Sequence, residues 1–250
     1  PAKPLRRIIL QAKAMAALSG FPIELSLEEA LKKLKLDAIR AERLGANQLF
    51  ETARSLIHPR ALYAPASITS RSGDTVTVGR ADFTSRILAK NLEGAERVFP
   101  YIITIGDALE NEARASRNVA GQLLLDELGN SALDSSVKYL ESCVSEEYGL
   151  RVISNMSPGQ LDWSIDQQRQ LFSIFNDVEN AIGVKLTDSM LMVPRKSVSG
   201  IMFPTDVLFV SCQLCQRENC TSRKVAYDEQ AHREYVEGAD RRPTNGTECL

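Results

Sequence analysis

The sequence predicts an α+β fold, a single domain with a mostly antiparallel sheet flanked by helices, plus a Cys-containing C-terminal segment. Three observations predict it. Helices open on capping boxes at Ser26–Glu29 and Ser164–Gln167, where the hydroxyl accepts an amide proton and the third residue on reaches back. Strand-like runs at 189–193, 198–203 and 207–210 are short and closely spaced, which favours antiparallel pairing. No internal repeat or low-complexity block appears before the polar tail after Gly238.

The elements follow in order. After Ser26, residues Leu27, Ala30, Leu31 and Leu34 recur at helical spacing. A second helix over 46–57 is stopped at His58-Pro59, because proline disfavours helix in the residue before it. DTVTV at 74–78 is β-branched and alternating, a strand after a Ser-Gly turn. RVFPYIITIG at 97–106 reads as a buried strand, and DALENEARA as a helix whose acidic first turn suits the helix dipole. A long helix is expected over 119–147, with Gly129, Ser131, Ala132, Ser135 and Ser136 allowing close packing. Ser164 opens a further helix carrying Leu171, Phe172, Phe175 and Val178, ended by Gly183.

The bulk composition narrows the function classes. At 250 residues, 44% hydrophobic and 25% charged, the chain has material for a sizeable core. A net charge of −2, with acids and bases interspersed, gives no reason to expect nucleic acid as a partner. No apolar run approaches the roughly 18 residues of a membrane span. RRIILQAKAMAALSG imitates a signal peptide, but Gln11 and Lys13 interrupt it. Five cysteines, three of them within nine residues, do not make a disulfide framework, so a cytoplasmic location is expected. Neither a dinucleotide fingerprint nor a phosphate loop is present. His58 and His232 read as surface or capping residues, and no nucleophile elbow accompanies them.

Cys212, Cys215 and Cys220 carry the first chemical signal. Two- and four-residue gaps let three thiolates face one centre, which points to an iron–sulfur cluster or a structural zinc, with a redox dithiol as a further reading. Cys249, Cys143 and His232 are candidate fourth ligands. Arg217, Arg223 and Lys224 nearby favour thiolate over thiol.

The second signal is a series of motifs. SPGQLDWSIDQQRQLFSIF, IGVKLTDSMLMVPRKSVSG and the earlier ITIGDALE with LLLDELGNSAL resemble the activation domain of cobalamin-dependent methionine synthase, above all its stand-alone form. The resemblance is strongest over 154–203 and extends from about Phe83 onward. It divides the chain into an N-terminal helical and strand region of the same domain (1–82), an activation-domain-like core (83–210) and a Cys segment with tail (211–250), the first and last lying outside the part shared with the full-length synthase.

That resemblance implies reductive activation of a corrinoid cofactor carried by a partner, with S-adenosylmethionine as methyl donor. The partner would be a corrinoid-dependent methyltransferase, or a methionine synthase lacking its own activation domain, served by an electron donor. The family's Arg-x-x-x-Gly-Tyr motif, which binds the S-adenosylmethionine carboxylate and borders the corrin, matches Asn155, Gly159 and Gln160 here, with Pro158 in place. Both the arginine and the tyrosine are replaced. Losing one charged hydrogen bond of about 1.5–3 kcal/mol weakens binding roughly tenfold to over a hundredfold unless another cation substitutes. Two cations inside an otherwise apolar hinge make Arg195 or Lys196 the expected replacement, with Ser197, Ser199 and Gly200 giving backbone approach. On this reading the turns after Met156 and after Val193 converge on one cleft, and the Cys cluster relays the electron. The alternative is a non-catalytic module that binds a corrinoid protein and holds a structural zinc.

Overall fold

The apolar run at 97–104 is the spine of the sheet. In the computed structural model, which describes residues 15–220 and 223–236, the elements are β1 (Ala16–Ser19), α1 (Leu27–Lys33), α2 (Ala38–Leu44), α3 (Ala46–Leu56), β2 (Arg60–Tyr63), β3 (Ala66–Ser72), β4 (Thr75–Val78), β5 (Ala81–Thr84), α4 (Arg86–Asn91), β6 (Arg97–Thr104), α5 (Ala108–Ala115), α6 (Val119–Tyr148), β7 (Ile153–Met156), α7 (Gln168–Ser173), α8 (Val178–Ile182), β8 (Lys185–Leu186), β9 (Met192–Val193), β10 (Ser197–Pro204) and α9 (Glu229–Val236). The signal-like stretch before residue 15, Cys249 and the polar tail lie outside the described residues.

Along one edge of β6, β2 pairs with residues 101–104 and β3 continues past Arg97 and Val98, then curls away into the β3–β4–β5 meander. Along the other edge β10 runs antiparallel from Ser197↔Thr104 to Met202↔Phe99, and β7 closes that side by pairing Ile201↔Met156. The period of two divides the core. Ala61, Tyr63, Phe99, Tyr101, Ile103 and Met202 face Leu140 and Val144 of α6. Leu62 and Ile102 face Phe175, Val178 and Ile182 on the opposite side. The N-terminal half of α6 buries Leu124, Leu125 and Leu128 against α1, α3 and α5. Among the described residues no helix is long and apolar enough to cross a membrane.

Local signals set most boundaries. Ser26 accepts the Glu29 amide and starts α1. Asn118 accepts from Ala120 and Gly121 at the head of α6, and Gly149 ends that helix in the left-handed region.

Three expectations need correction. The run at 207–210 is not a strand: Val207 and Leu208 face solvent, and the Phe209 amide donates to Ser154 Oγ at 2.9 Å instead of joining a ladder. The helix opened at Ser164 breaks in two. Ser164 caps only a 3₁₀ turn leading into α7, and Asp177 caps α8 by accepting the Asn180 amide. The strand expected over 189–193 contracts to Met192–Val193, which pairs with β8; β10 pairs with β6 and β7 rather than with its neighbour in sequence.

The turn after β7 carries a structural acid. Asp162 Oδ1 accepts from Ser85 Oγ at 2.6 Å, and Oδ2 accepts the Arg86 and Ile87 amides at 2.7 and 3.3 Å. It thereby completes the cap of α4, whose Leu88 amide goes to Ser85 Oγ. Asp162→Ala is expected to lower stability by about 2 kcal/mol, read as an earlier urea midpoint with an unchanged slope.

Candidate functional site

Gly200 marks the closest approach in the sheet. A Cβ there would lie 2.5 Å from the Met156 carbonyl oxygen and 2.9 Å from both Ser157 Oγ and Tyr101 Oη. Any side chain would push the turn that follows β7 away from β10. Gly200 is required for this niche because its neighbours are backbone and buried hydroxyls that have nowhere to move.

The niche is polar on the α6 side. Asn155 Nδ2 donates to Glu141 Oε1 at 2.6 Å, and Tyr101 Oη reaches Asn155 Oδ1 at 3.4 Å. Burial pushes the Tyr101 hydroxyl above its ordinary range. Burial also raises the Glu141 carboxyl, against the opposing pull of the Asn155 amide and of Lys224 and Lys138. A carboxylate held in partial desolvation beside an amide and a phenol is suited to a cation that replaces lost hydration.

The residues named from the sequence divide by strand periodicity. Asn155 and Gly200 belong to this niche. In the turn, Pro158 is buried, Gln160 Oε1 accepts the Ser157 amide at 3.2 Å, and Gly159 sits at φ 89° beneath Ile165. Ser197 and Ser199 alternate to the opposite face of β10. Ser197 Oγ donates to Thr104 Oγ1 and the Pro194 carbonyl lies 2.7 Å from it, whereas the buried Ser199 Oγ has no partner. Lys196 lies on the α6 face but further along, its methylenes against Gly129. Its amine is held by Asp126 at 2.8 Å and Asn130 at 2.5 Å. Arg195 pairs with Glu110 and Asp126. The turn after Met156 therefore abuts Gly200, while the turn after Val193 leads into β10 at Ser197, beside α5 and the first half of α6.

Of the two cations that act on Glu141, Lys138 of α6 and Lys224, the stronger pull comes from the Cys segment. Lys224 reaches Asp134 of α6 at 3.0 Å, and its charge is felt at Glu141. Glu141 and Lys224 were not singled out as a pair from the sequence. The one signal was helical spacing: Asp126, Asn130, Asp134 and Glu141 recur at intervals of four, four and seven on α6.

The segment itself is organised by an arginine. Arg223 donates to the carbonyls of Cys212, Cys215 and Arg217, and Cys212 Sγ accepts the Lys224 amide at 3.5 Å. Among the described residues no three His, Cys, Asp or Glu groups come together as a metal would require. Cys212, Cys215 and Cys220 are free thiols, His232 Nδ1 lies 3.0 Å from the Leu214 carbonyl, and Cys143 is on α6 beside Tyr139. In this arrangement the three thiols do not fit one iron–sulfur or zinc centre.

Comparison with known proteins agrees with the motif series. Residues 158–224 match the family described as vitamin B12-dependent methionine synthase, activation domain. The overall structure is similar to the crystal structure of the MetH reactivation domain bound to AdoHcy, with a TM-score of 0.54 at 16% identity over 80% of this chain and 82% of that one. Residues 158–224 thus match an activation-domain family, on a fold similar to that of a reactivation domain. The activation-domain match runs past Phe203 to include all three clustered cysteines and Lys224, further than the motifs alone indicate. The structural likeness likewise extends outside residues 83–210. No curated protein matches the chain.

Proposed function

We propose that this protein takes part in the reductive activation of a corrinoid cofactor held by a partner methyltransferase, and that it binds S-adenosylmethionine as methyl donor. The observation that carries this reading is the activation-domain match, because it covers the turn at Pro158–Gln160 and the whole of β10, the two elements that frame the Gly200 niche. One electron from an external donor reduces cob(II)alamin to cob(I)alamin. The methyl group of the sulfonium then passes to cobalt, leaving S-adenosylhomocysteine. The chain's own residues bind and orient the donor.

In that arrangement Gly200 lets the Pro158–Gly159–Gln160 turn close on β10, and Asn155 and Glu141 beside it face the ammonium or sulfonium charge. A cation must replace the family's arginine opposite the carboxylate. Lys224 suits that role better than Lys196. The Lys224 side chain is 59% exposed with one acidic partner, whereas that of Lys196 is 12% exposed and held by two groups. Calorimetric titration with S-adenosylmethionine is expected to show roughly tenfold weaker binding for Lys224→Ala and little change for Lys196→Ala. The reverse order would return the role to Lys196.

Function itself is tested by mixing the protein with a cob(II)alamin-loaded partner, an electron donor and S-adenosylmethionine, and following the corrinoid spectrum. Conversion to methylcobalamin is expected; a spectral shift without reduction would favour the binding module. An iron–sulfur relay is the finer reading of the Cys segment, and it requires the Arg223-held loop to rearrange so that the thiols meet. Iron with acid-labile sulfide in anaerobically prepared protein would establish it, and stoichiometric zinc would make the segment a scaffold.

A further inference from the structure

The Arg195–Lys196 turn has a setting of its own. It borders a hollow of about 240 Å³ between α5 and the first two turns of α6. By α-helical rise this lies roughly 25 Å along α6 from Glu141. The floor is aliphatic: Leu109 and Leu125 are 2% and 1% exposed. The lip is aliphatic too, with Val119 and Leu123, one turn apart, 67% and 54% exposed. Single exposed aliphatic residues are ordinary, but two at the mouth of an apolar hollow extend its surface.

Charge around the mouth is unbalanced. Arg114, Arg195 and Lys196 are three cations against the carboxylates of Glu110 and Asp126. Glu110 is nearly buried and is held by Arg114, by Arg195 Nε at 2.9 Å and by the Arg195 amide at 3.2 Å. Asp126 takes Arg195 Nη2 at 3.4 Å as well as Lys196. Each guanidinium has about five N–H donors. One of these on Arg114 and two on Arg195 are engaged by side chains of the described residues. The rest line an exposed rim where an anion can be gripped by planar forks.

We infer that this hollow binds a small amphipathic anion, a short apolar body carrying a carboxylate, with the body over Leu109 and Leu125 and the carboxylate between Arg114 and Arg195. A volume below the roughly 300–1,000 Å³ of sites for drug-sized ligands limits the body to a single short alkyl chain. The site shares neither floor nor cation with the Gly200 niche, so it stands whether or not S-adenosylmethionine binds there.

Octanoate is the probe, titrated calorimetrically into the full chain. Saturable one-to-one binding is expected, at least tenfold tighter than that of acetate or 1-octanol, which lack the body or the charge. Arg114→Gln should weaken it at least tenfold. That side chain is largely exposed, and Arg195 continues to hold Glu110, so the fold is retained. Ala113→Phe, which fills the hollow from α5, should abolish binding. Absence of saturation well beyond about 1 mM, equal binding of 1-octanol, or octanoate affinity unchanged by both substitutions would overturn the assignment.

Discussion

Alanine at position 200 is expected to destabilise this protein severely, while alanine at position 199, one residue earlier, is expected to be neutral or mildly stabilising. The two side chains point to opposite faces of β10. A methyl group on residue 200 would sit 2.5 Å from the Met156 carbonyl oxygen, a backbone atom fixed by the β7–β10 ladder. The strands must part to admit it. Overpacking of this kind costs about 1–3 kcal/mol, and the upper end applies where the obstacle is backbone. Set against a total stability of about 5–15 kcal/mol, such a loss moves a urea midpoint visibly. Ser199 differs in kind. Its hydroxyl is buried without a partner, so removing the oxygen removes an uncompensated desolvation cost. Denaturation of the two variants side by side checks the pair. Equal effects would mean that the niche over Gly200 is not as tight as described. S-adenosylmethionine titration of Gly200→Ala adds a second readout, with binding expected to vanish because the methyl group pushes the turn off β10.

The same alternation explains what could and could not be read from the chain. Helix α6 and strand β6 were legible because their signals are local: a long 3.6-residue pattern in one, a continuous apolar run in the other. Strand β2 was not, since four residues, RALY, are too few for a period to show. The run at 207–210 has strand composition, yet its Phe209 amide goes to the Ser154 hydroxyl instead of a ladder, and context overrode propensity. In the site, the turn at Pro158–Gln160 and the glycine at 200 were found through a recognisable order of motifs. Their partners were not, because Glu141 lies 59 residues from Gly200 in sequence and meets Asn155 only through packing of α6, while Lys224, 24 residues away, acts on Glu141 from its pair with Asp134. For Arg195 and Lys196 the sequence shows two cations in an apolar hinge, but only packing shows the carboxylate partners on α5 and α6 that decide which way they turn.

Glu141 offers the sharpest separation of function from stability. Burial holds its carboxyl above the ordinary value of 4.5, so the proton is bound more tightly in the folded chain than in the unfolded one. Its contribution is therefore favourable at acid pH and is lost as pH rises from the ordinary carboxyl range through the raised value. At neutral pH the ionised group is a net burden on the fold, partly relieved by the Asn155 amide at 2.6 Å. Glu141→Gln keeps the size and an acceptor oxygen for Asn155 while deleting the charge. The variant is expected to melt at a higher temperature than the parent at neutral pH, with the difference shrinking as the buffer is taken down toward the ordinary carboxyl range. Its affinity for S-adenosylmethionine should move the other way. Loss of one charge-assisted contact of about 1.5–3 kcal/mol corresponds to binding weaker by roughly tenfold to more than a hundredfold. A purely structural carboxylate would give the first effect without the second, so melting curves across pH and a single titration at neutral pH distinguish the two roles. A gain in stability with unchanged binding would remove Glu141 from the site and leave Asn155 and the Pro158–Gln160 turn without an anionic partner on α6.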